Sequence, residues 1–243
     1  MLWIDPYFPY EELSSTASEN RFLRVFVDQP TELILTYTAT VDVLHQELMM
    51  NQADFLSVKQ LEGDVLTYLF PSRYCQSDKL SRLAQKLFGE IGSSYEKVVA
   101  ITNWIYDNVE YISGSTDSQT SAFDTVTERS GVCRDFAHLG IALCRALTIP
   151  ARYFTGYAYQ LQPPDFHACF EAYIGGVWII FDATKLAHLN GLVKIASAKD
   201  AADAAVASIF GSVKSNSAIV SCEALEPFIP FTYDPNHKMG VAY

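Results

Sequence analysis

No run in this chain of 243 residues is long and apolar enough to cross a bilayer, and no internal repeat or low-complexity tract is present. Positive charge is scarce: 17 Lys and Arg face 28 Asp and Glu, a net of −11. That argues against nucleic acid as a partner, because no basic footprint exists to neutralise phosphates. The five cysteines are odd in number and include no Cys-x-x-Cys, which argues against a disulfide framework and the common zinc layouts. His138, His188 and His237 lack ligand-like spacing, so neither a structural metal nor a cofactor is expected. The opening Met1-Leu2-Trp3-Ile4-Asp5-Pro6 has no basic segment leading into an apolar one, and the expectation is a cytoplasmic protein with no membrane partner. What is there is an ordinary globular composition, 49% hydrophobic, long enough to bury a substantial core in one or two domains.

Chemistry concentrates in three short segments. Between Gly131 and Leu147, apolar or small residues fall at 133, 136, 137, 140, 141 and 144, one face of an α-helix. Cys133 then lies on the buried stripe in the first turn, where unpaired N–H groups carry partial positive charge and favour an anion. Ser130 is the expected N-cap. Cys144 shares the stripe near the helix C-terminus, where the dipole opposes an anion, and reads as core. By helix position alone, Cys133 is as readily a packing residue as a nucleophile.

The other two segments form one predicted hairpin. His167 to Ile174 alternates as a strand does, Gly175-Gly176 reads as a two-residue turn, and Val177 to Asp182 reads as the return strand. With Ile174 opposite Val177, Cys169 falls opposite Asp182, and His167 shares a sheet face with Cys169. His167 and Asp182 become diagonal neighbours, roughly 7 to 8 Å apart at Cα. A slip of one residue would carry Asp182 to the opposite face. Taken singly, His167 reads equally as a locally bonded residue at a strand start and Asp182 as a strand-end cap. Taken with Cys133 they make the set that thiol catalysis needs: a nucleophile, a base, and a carboxylate that holds the base.

The run from Ser121 through Gly131-Val132-Cys133-Arg134-Asp135 to Leu139, with Ile149 to Tyr157, Asp165-Phe166-His167-Ala168 and Trp178 to Thr184, resembles the bacterial transglutaminase-like superfamily of papain-like thiol enzymes. Asn103 to Tyr111, the loop Gly114 to Thr120, and Lys199 to Asp203 are similar to the same pattern. The resemblance implies Cys133 as nucleophile, His167 as general base and Asp182 as orienting carboxylate. Two positions depart from it. The residue two after the histidine, often tryptophan in the family, is Cys169, and the residue after the aspartate, often proline, is Ala183. A second thiol beside the site can pair with Cys133 on oxidation. His138 also fits the pattern, yet it stands about 140° around the helix from Cys133 and is assigned to packing or hydrogen bonding.

Residues 1–70 hold three Lys or Arg against eleven Asp or Glu, which is −8 of the net −11, and this shift places a domain boundary near Pro71. Arg21 to Val27 and Glu32 to Val43 read as a hairpin around Asp28 to Thr31. They resemble the later strands of the β-sandwich that precedes the catalytic domain in the family, with the first strands missing. An uncovered strand edge invites association, so a homodimer through this β module is a live expectation. Helices are expected from Asp78 to Ile91, ended by Gly92, and from Tyr95 to Val109. Ala204 to Phe210 and Ser217 to Leu225 read as further strands, the first open to a helical reading, and the tail from Pro227 reads as irregular.

The expected fold is α+β: a papain-like, transglutaminase-like catalytic domain (71–243) whose antiparallel sheet packs on the nucleophile helix, behind an abbreviated β-sandwich-like module (1–70). The expected function is a cysteine peptidase or amidase acting on a peptide or protein substrate through a thioester. Transglutaminase-type acyl transfer and a peptide-binding scaffold without turnover stand as alternatives, since the residues alone do not choose between water and an amine. The Cys133 backbone N–H is a candidate oxyanion donor, and the second donor is not legible in the sequence.

Overall fold

The computed structural model describes residues 1–15, 18–50, 56–231 and 238–243. In chain order the elements are β1 (Leu2–Asp5), β2 (Tyr10–Ser14), β3 (Arg21–Val25), β4 (Ile34–Tyr37), β5 (Gln46–Met49), α1 (Gly63–Leu66), α2 (Ser77–Phe88), α3 (Ser94–Asn108), β6 (Glu110–Tyr111), α4 (Ala122–Glu128), β7 (Ser130–Gly131), α5 (Cys133–Ala146), β8 (Ala151–Ala158), β9 (Phe166–Ile174), β10 (Val177–Phe181), β11 (Leu192–Ala198) and β12 (Met239–Ala242).

The chain divides between Val43 and Leu44, upstream of the boundary expected near Pro71. The reason is β5, which pairs with β12 at the edge of the large sheet and so belongs with the second unit. In the first unit, β1 pairs with β4 and β2 with β3, both antiparallel. The expected hairpin of β3 with β4 is therefore replaced by two separate ladders. Early strands do exist, in Leu2–Asp5 and Tyr10–Ser14.

The second unit is α+β. Its six-stranded sheet has the order β11-β8-β9-β10-β12-β5, with every neighbouring pair antiparallel. The predicted hairpin register is the observed one: Val177 pairs with Ile174 and Phe181 with Phe170. Gly175 and Gly176 adopt φ of +63° and +92°, the left-handed pair a two-residue turn requires. Residues 204–210 and 217–225, read as strands, are irregular; the sheet ends instead on β11 and takes β12 from the tail expected to be irregular. Residues 232–237 of that tail lie outside the described residues.

Helix α5 packs its apolar stripe against β8 and β9, with Phe136, Leu139, Ile141 and Leu143 buried alongside Phe170 and Ile179. Gly140 is where the two layers touch: a Cβ there would stand 2.6 Å from Cε1 of Phe170. Helix α2 buries Leu80, Ala84 and Phe88 and stops at Gly89, three residues before the expected Gly92. Helix α3 begins with a reciprocal cap, in which the Glu96 N–H donates to Ser93 Oγ and the Ser93 N–H donates to Glu96 Oε2.

Candidate active site

Cys133 opens α5, but its N-cap is Val132 and not Ser130, which is held in β7. The cap is supplied from inside the helix. Asp135, fully buried, turns back so that its Oδ2 accepts from the Val132 N–H at 3.0 Å and from Thr116 Oγ1 at 2.7 Å. Arg134 binds the other oxygen through Nε at 3.1 Å and reaches the Asp117 carbonyl. Gly131 permits this turn, because a Cβ there would sit 2.8 Å from Cβ of Asp135. At the first helical position the Cys133 N–H has no partner within the helix, and the residue is partly exposed.

His167, near the start of β9, places Nε2 at 3.0 Å from Oδ2 of Asp182, with the two side chains 1% and 2% exposed. Asp182 follows β10 directly and is saturated by donors: the Thr184 N–H at 2.9 Å, Thr184 Oγ1 at 2.7 Å, the Leu186 N–H at 3.1 Å and the Ala187 N–H at 3.0 Å. The Cys169 thiol lies beside this pair, its sulfur within 4.8 Å of the His167 and Asp182 ligand atoms. His167, Asp182 and Cys169 meet on one face of the sheet, and Cys133 opens the helix that packs against that sheet.

The electrostatics follow from burial and one anion. Burial alone disfavours a charged imidazole, but the neighbouring Cys169, Asp182 and Cys133 outweigh it and raise the His167 pKa. Burial also disfavours a carboxylate at Asp182, yet His167, Thr184 and the Ala187 N–H hold its pKa below the ordinary range. Cys169 is pushed up to about 12 by burial and by Asp182, so at neutral pH it is a thiol and Asp182 is the anion that His167 feels. His167, Cys169 and Asp182 bring ligand-type atoms within 4.8 Å of one another, close enough for one cation. Both Asp182 oxygens are already filled by hydrogen bonds, which makes the cluster a hydrogen-bonded relay.

His138 takes the packing role expected of it. It stacks on Tyr74 at 4.9 Å between ring centroids, and its Nε2 accepts from the Ala201 N–H at 3.1 Å. Burial pulls its pKa down to about 3, against the pull of Asp200. Cys144 and Cys75 are buried thiols whose pKa values burial raises.

One neighbour of Cys133 escaped the sequence reading. Tyr111 lies in β6, which pairs in parallel with β7 so that Tyr111 stands beside Gly131. Burial and the nearby Cys133 raise its pKa. A two-residue parallel ladder between segments about 20 residues apart leaves no periodicity to read.

Residues 81–183 match the transglutaminase-like superfamily, and residues 1–64 match the N-terminal domain of bacterial transglutaminases. The chain is similar to a crystal structure of a candidate cysteine protease from Cytophaga hutchinsonii, 61% identical with a TM-score of 0.97, covering 100% of this chain and 84% of that one. It is also 29% identical over 161 residues to the uncharacterised protein ML0607 of Mycobacterium leprae, a match spanning 61% of this chain and 57% of that one. A stretch of 60 residues is 43% identical to the uncharacterised Mycobacterium tuberculosis protein Rv2569c, covering 25% of this chain and 19% of that one. With a papain-like α+β core whose sheet packs on a helix that opens at Cys133, the chain belongs to the transglutaminase-like superfamily.

Proposed function

We propose that the chain is a thiol-dependent amide hydrolase in which Cys133 is the nucleophile, His167 the general base and acid, and Asp182 the carboxylate that orients His167. The observation that carries the reading is the buried 3.0 Å bond from His167 to Asp182, on the sheet against which the Cys133 helix packs. Cys133 passes its proton to His167, and the sulfur attacks an amide carbonyl carbon, whose oxygen becomes an oxyanion against the Cys133 N–H. His167 then protonates the leaving amine as the C–N bond breaks, which leaves a thioester. A water gives its proton to His167 and attacks the thioester, and the acid departs as the thiol is restored. Asp182 favours the imidazolium at each stage.

Mass spectrometry of a peptide library incubated with the protein tests this. Cleaved fragments that vanish in Cys133→Ala support hydrolysis; ammonia loss with ligated products assigns acyl transfer instead, and unchanged peptides with retained binding assign a scaffold. We also propose self-association through the first unit, where Trp3, Phe26 and Tyr37 are exposed. A sedimentation coefficient that stays monomeric as concentration rises would reject it.

A further inference from the structure

Asp182 is held by a loop that has to be held in turn. Residues 183–191, between β10 and β11, form neither helix nor strand, yet they present the Leu186 and Ala187 N–H groups to Oδ2 of Asp182, the oxygen that also meets His167. The far end of the loop is clasped from outside. Asn190, 9% exposed, donates through Nδ2 to the Ile229 carbonyl at 2.9 Å and accepts at Oδ1 from the Phe231 N–H at 2.8 Å. One amide thereby pairs with residues 229–231 as a neighbouring strand would, which takes a side chain that carries donor and acceptor on one plane. The Phe228 ring closes the same side, 5.0 Å from Tyr159 and 5.8 Å from His188, and a Cβ on Gly191 would stand 3.0 Å from Cζ of Phe228. Tyr243, beyond β12, bridges the loop exit: its hydroxyl donates to the Leu189 carbonyl and accepts from the Leu192 N–H at 3.1 Å.

We propose that Asn190, with Tyr243, is a positioning residue of the catalytic site, holding the 183–191 loop so that its N–H groups keep Asp182 against His167. This rests on the Cys133, His167 and Asp182 reading above. The bonds of both side chains go to the backbone of the loop, of β11 and of residues 229–231, so both act through the loop. Ordering an irregular segment costs conformational freedom, and Asp182 bonds only its first half, from Thr184 to Ala187. Asn190 and Tyr243 anchor the second half. Released there, the loop carries Leu186 and Ala187 away from Oδ2, and the carboxylate, short of two donors that fix its plane, swings off Nε2. His167 then loses part of what favours its cationic form. A thiolate at Cys133, which draws on that cation, forms only at higher pH.

The pH dependence of iodoacetamide alkylation at Cys133, followed by peptide mapping in the full chain, tests this without a substrate. In wild type the triad reading sets the midpoint below the ordinary thiol value of about 8.5. Asn190→Ala and Tyr243→Phe are each expected to raise it by about 1 unit, so that alkylation slows about tenfold well below the midpoint and less than about twofold well above it. Gly140→Ala, which strains the core at Phe170, serves as a destabilised control: its thermal midpoint falls while its alkylation midpoint stays at the wild-type value. Should Asn190→Ala fail to fold, Tyr243→Phe, which loses one oxygen, decides alone. An unshifted alkylation midpoint in a folded variant would overturn the proposal and leave Asn190 a support of the fold, and a shift of equal size in Gly140→Ala would do the same. A wild-type Cys133 alkylated as an ordinary thiol, with its midpoint at about 8.5, would overturn the triad reading itself and the role of Asn190 with it.

Discussion

Nε2 of His167 and Oδ2 of Asp182 stand 3.0 Å apart in a space nearly closed to solvent, and the same carboxylate ends β10 by accepting three backbone N–H groups. One side chain therefore both orients the imidazole and fixes the chain beyond the strand. Asp182→Asn is expected to lower kcat, by as much as about 10⁴ if the pair behaves as in a serine triad. It is also expected to cost stability, since an amide NH2 turned toward backbone donors leaves a buried donor unpaired at about 1–3 kcal/mol. Measuring kcat and thermal midpoint together checks both. Full turnover at a lowered midpoint would reduce Asp182 to a strand cap.

Iodoacetamide at neutral pH is expected to label Cys133 ahead of the other cysteines. Cys75, Cys144 and Cys169 are buried, which leaves Cys222 as the competitor, and burial raises the Cys222 pKa. Peptide mapping at short times reads the order directly, and first labelling at Cys222 would remove the chemical case for the nucleophile.

Gly140→Ala puts a methyl 2.6 Å from the Phe170 ring where α5 meets β9. The expected loss is about 1–3 kcal/mol in a urea titration, from overpacking a filled core. Phe170→Leu made in the same chain should return part of it, because neighbours in contact are not additive. Full additivity would mean that the helix moves aside without strain.

Acid should weaken the fold through His138. With its pKa near 3 when folded, against about 6.5 unfolded, it binds fewer protons in the folded protein. Its contribution is complete above pH about 6.5 and falls by about 1.4 kcal/mol per pH unit below that, until the folded pKa is reached. Asp200, which raises this pKa, and Arg134 and Arg145, which lower it, set the lower limit. Urea midpoints between neutral and acid pH, in wild type and His138→Asn, are expected to converge as pH falls; parallel curves would place the acid sensitivity elsewhere.

What was legible in the sequence was what neighbouring residues decide. The β9–β10 hairpin has a period of two and a Gly-Gly turn, so its register, and with it the His167–Asp182 pair, followed from counting. The helix behind Cys133 was equally local. Pairings between distant segments were not legible: β1 skips to β4, β11 joins β8 through an irregularity between Lys194 and Ala196, and β12 is a short Met-Gly-Val-Ala strand. Ser130 looked like a cap by type and position, but Asp135 can reach back from the third helical position and Ser130 is tied into β7. Tyr111 depends on that same β6–β7 ladder, which only folding brings together.

The place of β12 between β10 and β5 sets an order of assembly in time. Strands β8, β9 and β10 can close on one another as soon as they leave the ribosome, but β5, made some 190 residues before β12, has no partner in the sheet until β12 arrives. At roughly 5–20 residues per second that wait lasts about 10 to 40 seconds. For about the last 3 to 12 seconds of it, once β10 has been made, the edge of β10 that leads to Asp182 stands unpaired, so the half of the site carrying Asp182 is the last to be walled in during synthesis.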